Sequence, residues 1–151
     1  MALFDRETDA AKELAGVPLD FGDHRVTLRR QGGANASAYD TELDKAIRPF
    51  RAALRAGVFP KQREEEIVFR VFARKIVTRW ETLRSSLGKL GAGEADGFVD
   101  GIDMRGKLVP FSEDTVVAVY QALPSLYLDH REAAKGEQLF RLERQEDDQK
   151  N

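Results

Sequence analysis

The chain contains no cysteine, which excludes disulfides, thiolate metal sites and cysteine nucleophiles. It has only two histidines, His24 and His130, so any imidazole base or ligand must be one of these. It has no charge surplus either: 24 Lys and Arg stand against 26 Asp and Glu, for a formal charge of -2. Nucleic acid and anionic membranes call for a clear basic excess, so neither is an expected partner. No stretch approaches the ~18–20 consecutive apolar residues that would cross a bilayer. The opening "MALFDRETDAAKEL" is charged and lacks the apolar centre of a signal peptide. The expectation is a soluble protein that stays in the cytoplasm.

What is present is ordinary for a globular domain: 151 residues, 42% hydrophobic and 33% charged, enough for one core. We read residues 1–151 as a single α+β domain, mostly α-helical. A small N-terminal β-hairpin packs on a bundle of about four helices, with a long glycine-rich loop over residues 85–106. Residues 1–15 read as a short helix or a mobile arm, and residues 145–151 as a polar tail.

The local patterns behind this reading are specific. Val17, Leu19 and Phe21, then Val26 and Leu28, alternate with polar residues on either side of Gly22-Asp23, the signature of a hairpin. Pro18 cannot donate to a ladder and marks the first run as an edge strand. Tyr39, Leu43, Ile47, Phe50 and Leu54 recur at helical spacing, with Asn35 or Ser37 placed to cap. Pro49 predicts a kink or break near Arg48. Val68, Phe69, Phe72, Ile76, Trp80 and Leu83 form the longest stripe, which predicts a helix of about 22 residues, roughly 33 Å, from Pro60 to Leu83. A small hairpin from "FVDGI" to "KLVPF" interrupts the glycine-rich segment. Two further helices meet at Pro124, the last from Ser125 to about Arg144.

Candidate chemistry is sparse. Ser112-Glu113-Asp114 places a hydroxyl beside two carboxylates, but no G-x-S-x-G turn accompanies it. A helix start accounts for more of the residues: Ser112 as N-cap, the two carboxylates in the first turn, and Phe111 and Val116 at the spacing of a hydrophobic staple. "RRQGGANAS" lacks the lysine and spacing of a phosphate loop. Asp20, Asp23 and His24 offer metal-ligand types, but two of them sit in a turn that favours Asp anyway. Arg70, Arg74, Lys75 and Arg79 read as a solvated helix face. The sequence offers no cofactor motif and no catalytic constellation, so an enzyme is not expected.

The order of these segments carries more information than any one of them. A hairpin, "RRQGGANASAY", a helix with "RPF", a helix with "FARKIVTRWE" and "GKLVPFSEDTVVAVYQALPSLYLD" follow one another over most of the chain. This order resembles the tail assembly chaperones of long-tailed bacteriophages and prophages. The matching positions are Arg30, Gly32, Tyr39, Arg48, Pro49, Ala73, Val77, Trp80, Gly106, Pro110, Phe111, Ser112, Leu123 and Pro124. The chain departs from the pattern in the longer "QGGAN" loop and in the glycine-rich insertion after Trp80. The resemblance implies a non-enzymatic protein of the host bacterial cytoplasm, not retained in the mature virion. It would bind the tape measure protein, keep it soluble and help recruit the tail tube protein. A structural tail or neck component is the alternative.

For partner contacts the sequence nominates Phe59 at a helix junction, Phe98 and Val99 in the glycine-rich segment, and the adjacent Leu139 and Phe140. Self-association is also open, since a small domain with several apolar helix faces can bury one against a copy of itself.

Overall fold

The computed structural model describes residues 2–141. The N-terminal segment is fastened down. After a 3₁₀ turn at Leu3–Arg6, helix α1 (Ala10–Ala15) is capped by Asp9, whose carboxylate accepts from the Ala11 and Lys12 amides. Glu13 on α1 is buried and accepts a 2.5 Å ion-paired bond from Arg30. Thr8 bridges to Arg141, and the Asp9 amide donates to the Phe140 carbonyl at 2.8 Å. From Thr8 onward this segment is therefore docked rather than an arm.

The expected hairpin is present: β1 (Val17–Asp20) pairs antiparallel with β2 (His24–Leu28). Asp20 closes the turn by accepting from the Gly22 amide at 2.7 Å. Helix α2 (Ala36–Ile47) then runs into a 3₁₀ turn at Arg48–Phe50 and a short α3 (Arg51–Arg55). The break falls where Pro49 removes a backbone donor. Asn35 occupies the N-cap position of α2 but does not cap it; its amide donates instead to the Arg30 carbonyl at 3.0 Å.

The long helix is shorter than its stripe predicts. Helix α4 covers Lys61–Lys75, 15 residues, and Val77–Leu83 forms strand β3 instead. The reason is an ambiguity of period. Ile76, Trp80 and Leu83 fit helical spacing, but Thr78, Trp80 and Thr82 equally fit a strand rich in β-branched and aromatic residues. β2 has an edge whose backbone groups need partners. β3 satisfies it with Val26 opposite Trp80, Arg25 opposite Glu81 and His24 opposite Thr82.

The glycine-rich segment is also more ordered than a loop. A short α5 (Arg84–Leu87) leads into it, β4 (Phe98–Asp100) pairs with β3, and β5 (Ile102–Met104) pairs with β6 (Lys107–Val109). The sheet order is β1-β2-β3-β4, with β5-β6 as a separate hairpin. Arg105 and Gly106 both have positive φ in the two-residue turn, as a type I′ connection demands. Gly101 is required sterically: a Cβ there would lie 2.8 Å from the Val109 carbonyl oxygen. The expected small hairpin therefore divides between two sheets.

Helix α6 (Glu113–Ala122) is capped by Ser112, whose Oγ accepts from the Thr115 amide at 3.1 Å. Helix α7 (Pro124–Lys135) begins on Pro124, and a 3₁₀ turn at Gln138–Phe140 follows it. The predicted continuation to Arg144 and the polar tail lie outside the described residues. The result is an α+β fold with four longer helices, α2, α4, α6 and α7. They do not form a free-standing bundle: they cover one face of the sheet. Val26, Leu28, Trp80, Phe72, Tyr120 and Tyr127 meet in the common core.

Candidate functional site

α7 has two faces, and both matter. Its inner face is Tyr127, His130 and Ala134, all buried, at the i, i+3, i+7 spacing of one helical stripe. Its outer face carries Pro124, Leu128 and Arg131, which together with the edge of Tyr127 form one wall of an open groove of about 520 Å³. α2 contributes Tyr39 and Leu43 to this groove, and α4 contributes Lys61, Glu64, Glu65, Val68 and Phe69. The floor is apolar and aromatic. Leu128 is 55% exposed, as is the nearby Leu123 at 53%, an arrangement that leaves large apolar surface in water. The rim is charged: Lys61, Glu64 and Glu65 on the α4 side, Arg131 on the α7 side. Gln31 also lines the groove, and its Oε1 is buried without a hydrogen-bond partner. Burial lifts the Tyr39 hydroxyl to a pKa of about 12, so this tyrosine is a neutral wall element.

Behind α7 lies a buried polar chain. His24 Nε2 and His130 Nε2 are 2.9 Å apart, His24 Nδ1 is 2.5 Å from the Asp23 carboxylate, and His130 Nδ1 is 2.7 Å from the Tyr120 hydroxyl. Aromatic rings enclose it. Phe21 and Trp80 stack on either side of His24 with centroids 5.0 and 5.2 Å away, and Trp80 meets His130 edge-on. Burial is the first cause that depresses the His130 pKa, to about 3, with the neighbouring His24 adding to it. Burial also raises the Tyr120 hydroxyl far above its ordinary value.

Sequence reading missed this chain, because His24 and His130 are 106 residues apart. The available signal was that His130 falls on the apolar stripe of its helix. Of the suggested metal set, Asp20 only closes its own turn and Asp23 pairs with His24. Among the described residues no group of three or more His, Asp or Glu could hold a metal ion.

The residues nominated for partner contact scatter. Phe59 stacks on Phe50 at 4.9 Å beneath the Arg63 guanidinium. Phe98 and Val99 belong to edge strand β4, with the Arg25 guanidinium 4.4 Å above the Phe98 ring. Leu139 is half-buried, and Phe140 is fully buried. Phe140 is thus a packing residue, not a contact. Its backbone carbonyl holds the N-terminal segment, and Leu139, about a third of a turn away on the 3₁₀ helix, is left partly exposed. None of the five lines the groove beside α7.

The motif positions also separate. Arg48 pairs with Asp44 on the surface at 2.7 Å beside Pro49. Trp80 is in the core on β3, not on a helix. Pro110, Phe111 and Ser112 lead into α6, where Glu113 and Asp114 bind arginines. Arg70 donates to Asp114 at 2.8 Å and Arg74 to Glu113 at 2.9 Å. Arg74 also reaches Glu42 on α2 at 2.6 Å. Arg70 and Arg74, expected on a solvated face, therefore tie three helices together, while Arg79 lies on β3, not on the helix, and pairs with Asp100.

The family model described as YdaY prophage protein matches residues 34–151, from the loop before α2 onward. The chain belongs to the YdaY prophage protein family. No curated protein and no solved structure matches it. The matched span of this YdaY-family chain includes all three groove walls and His130, while His24 and Asp23 come from the hairpin outside it. No helix of the described residues is long and apolar enough to cross a membrane.

Proposed function

We propose that this prophage protein is a tail assembly chaperone. It binds the tape measure protein, keeps it soluble and helps recruit tail tube subunits during morphogenesis. It works by binding rather than catalysis, in the host cytoplasm, and leaves before the virion is complete. Membership of a prophage family supports the setting, and the ordered motifs that resemble tail assembly chaperones support the role.

The observation that carries the reading is the groove between α2, α4 and α7. It combines an aromatic floor with the exposed Leu128. An extended tape measure helix exposes apolar side chains that would otherwise aggregate, and a helix-in-groove contact covers such a stripe. The charged rim of Lys61, Glu64, Glu65 and Arg131 fits the polar flanks of an amphipathic helix that carries both signs of charge. Co-expression with the tape measure protein should bring that partner into the soluble fraction as a complex. A partner that stays insoluble, with no complex isolated, refutes the proposal.

A structural tail or neck component is favoured by one feature: the four-stranded sheet ends in open edges at β1 and β4, which ring assemblies use for strand addition. Mass spectrometry of purified particles separates the two. Stoichiometric presence in the particle supports the structural role, and absence supports the chaperone.

A further inference from the structure

The buried chain behind α7 is the second unusual feature of the molecule, and its hydrogen bonds have one consistent proton arrangement. A carboxylate only accepts, so Asp23 takes the proton of His24 Nδ1–H, which leaves His24 Nε2 as an acceptor. His130 must then donate to it from Nε2–H, which leaves His130 Nδ1 to accept from the Tyr120 hydroxyl. Three hydrogens serve three contacts of 2.5, 2.9 and 2.7 Å. Every ring nitrogen is satisfied with both imidazoles neutral.

We propose that Asp23, His24, His130 and Tyr120 form a proton-ordered latch that fastens α7 to the sheet and so positions the groove wall. The latch is closed while both imidazoles are neutral and opens when the pair takes up a proton. An added proton cannot sit between the two Nε2 atoms, because two N–H groups would then face each other at 2.9 Å. It adds instead at His130 Nδ1, whose partner can turn from donor to acceptor: His130 Nε2–H still donates to His24, the new Nδ1–H donates to the Tyr120 oxygen, and His130 carries the charge. The Tyr120 hydrogen then loses its acceptor, since the described residues give that hydroxyl no other partner.

The new charge also lacks compensation. Asp23 is the one carboxylate on the chain, and its side chain is 73% exposed at the far end. On β2 and β3, Arg25, Arg79 and Glu81 pair with one another across the sheet and with Asp100. On α6, Glu113 and Asp114 are engaged by Arg70 and Arg74. On α7, Asp129 and Glu132 are exposed, and Arg131 lies on the groove. α4 faces the chain with Phe69 and Phe72. Buried charge without a partner is expensive, so α7 gives way instead. The depressed His130 pKa agrees with this geometry.

That the wall α7 provides belongs to a binding groove rests on the chaperone reading; the latch itself does not. Nitrogen-15 spectra of the histidines in the full chain at pH 7 should show His24 as the Nδ1–H tautomer and His130 as the Nε2–H tautomer. His130 should stay unprotonated well below the ordinary histidine range. On further acidification Trp80, the single tryptophan, should be quenched by the new imidazolium beside it. The α7 amides should then lose at least about tenfold in exchange protection while α4 keeps its own. Asp23→Asn, an exposed and shape-conserving change, should move this midpoint to lower pH.

Ordinary tautomer mixtures that titrate near 6.5 overturn the latch. So do α7 amides that stay protected through the titration, or a chelator-sensitive spectrum, which would make the pair a metal site. A normal latch with no tape measure complex refutes only the chaperone reading. A complex with freely titrating histidines refutes only the latch.

Discussion

The two faces of α7 differ in how far the chain itself covers them. His130 and Ala134 face inward, where each polar atom on the His130 ring has a partner, and buried Tyr127 stands between this face and the groove. Leu128 and Arg131 face outward onto the groove, where an apolar side chain is left in water. The difference lies in what each face has to satisfy. The inner face is complete within the chain, whereas the outer face has exposed apolar area. Substitutions on the inner face should therefore cost stability, and substitutions on the outer face should cost binding.

The sharpest way to break that contrast is His130→Ala. It opens a cavity and strands both His24 Nε2 and the Tyr120 hydroxyl, so chemical denaturation should show a loss of about 3–5 kcal/mol. Acid should act on the same point. The His130 pKa is depressed when folded, to about 3, so between that value and about 6.5 the unfolded chain binds more protons. Stability is then complete above about pH 6.5 and falls as pH drops toward 3. The slope approaches about 1.4 kcal/mol per pH unit for one proton, read from denaturation midpoints across pH.

Smaller effects sharpen the comparison from outside α7. Ser112→Ala removes the α6 cap, which touches neither face, and should cost about 1 kcal/mol. Leu128→Asp on the outer face should cost under about 1 kcal/mol, the range of exposed helix substitutions. A larger loss for Leu128→Asp than for Ser112→Ala would mean that the groove is part of the core.

Features fixed by local chemistry could be read from the sequence. The Gly22-Asp23 turn, the break at Pro49, the Ser112 cap and the start of α7 at Pro124 each depend on residues a few positions apart. What could not be read depends on partners distant in sequence. Val77–Leu83 carries both a helical and a strand period, and only the open edge of β2 decides between them. The same holds for Phe98 and Val99, which become a strand because β3 is there to pair with. His24 and His130 carry no shared motif and meet only after the hairpin and α7 dock. The groove arises from three helices whose apolar stripes each read simply as core. Nothing local distinguishes Leu128, which remains exposed, from Tyr127, which is buried.

The central claim is that the outer face of α7 is where a tape measure helix binds. It is tested most directly by the affinity of the tape measure protein for the wild-type chain and for Leu128→Asp at pH 7. Both proteins should be equally folded by circular dichroism. The account predicts a complex with the wild type and at least about tenfold weaker binding for the variant, the equivalent of about 1.4 kcal/mol. Equal affinity for the two folded proteins would contradict it.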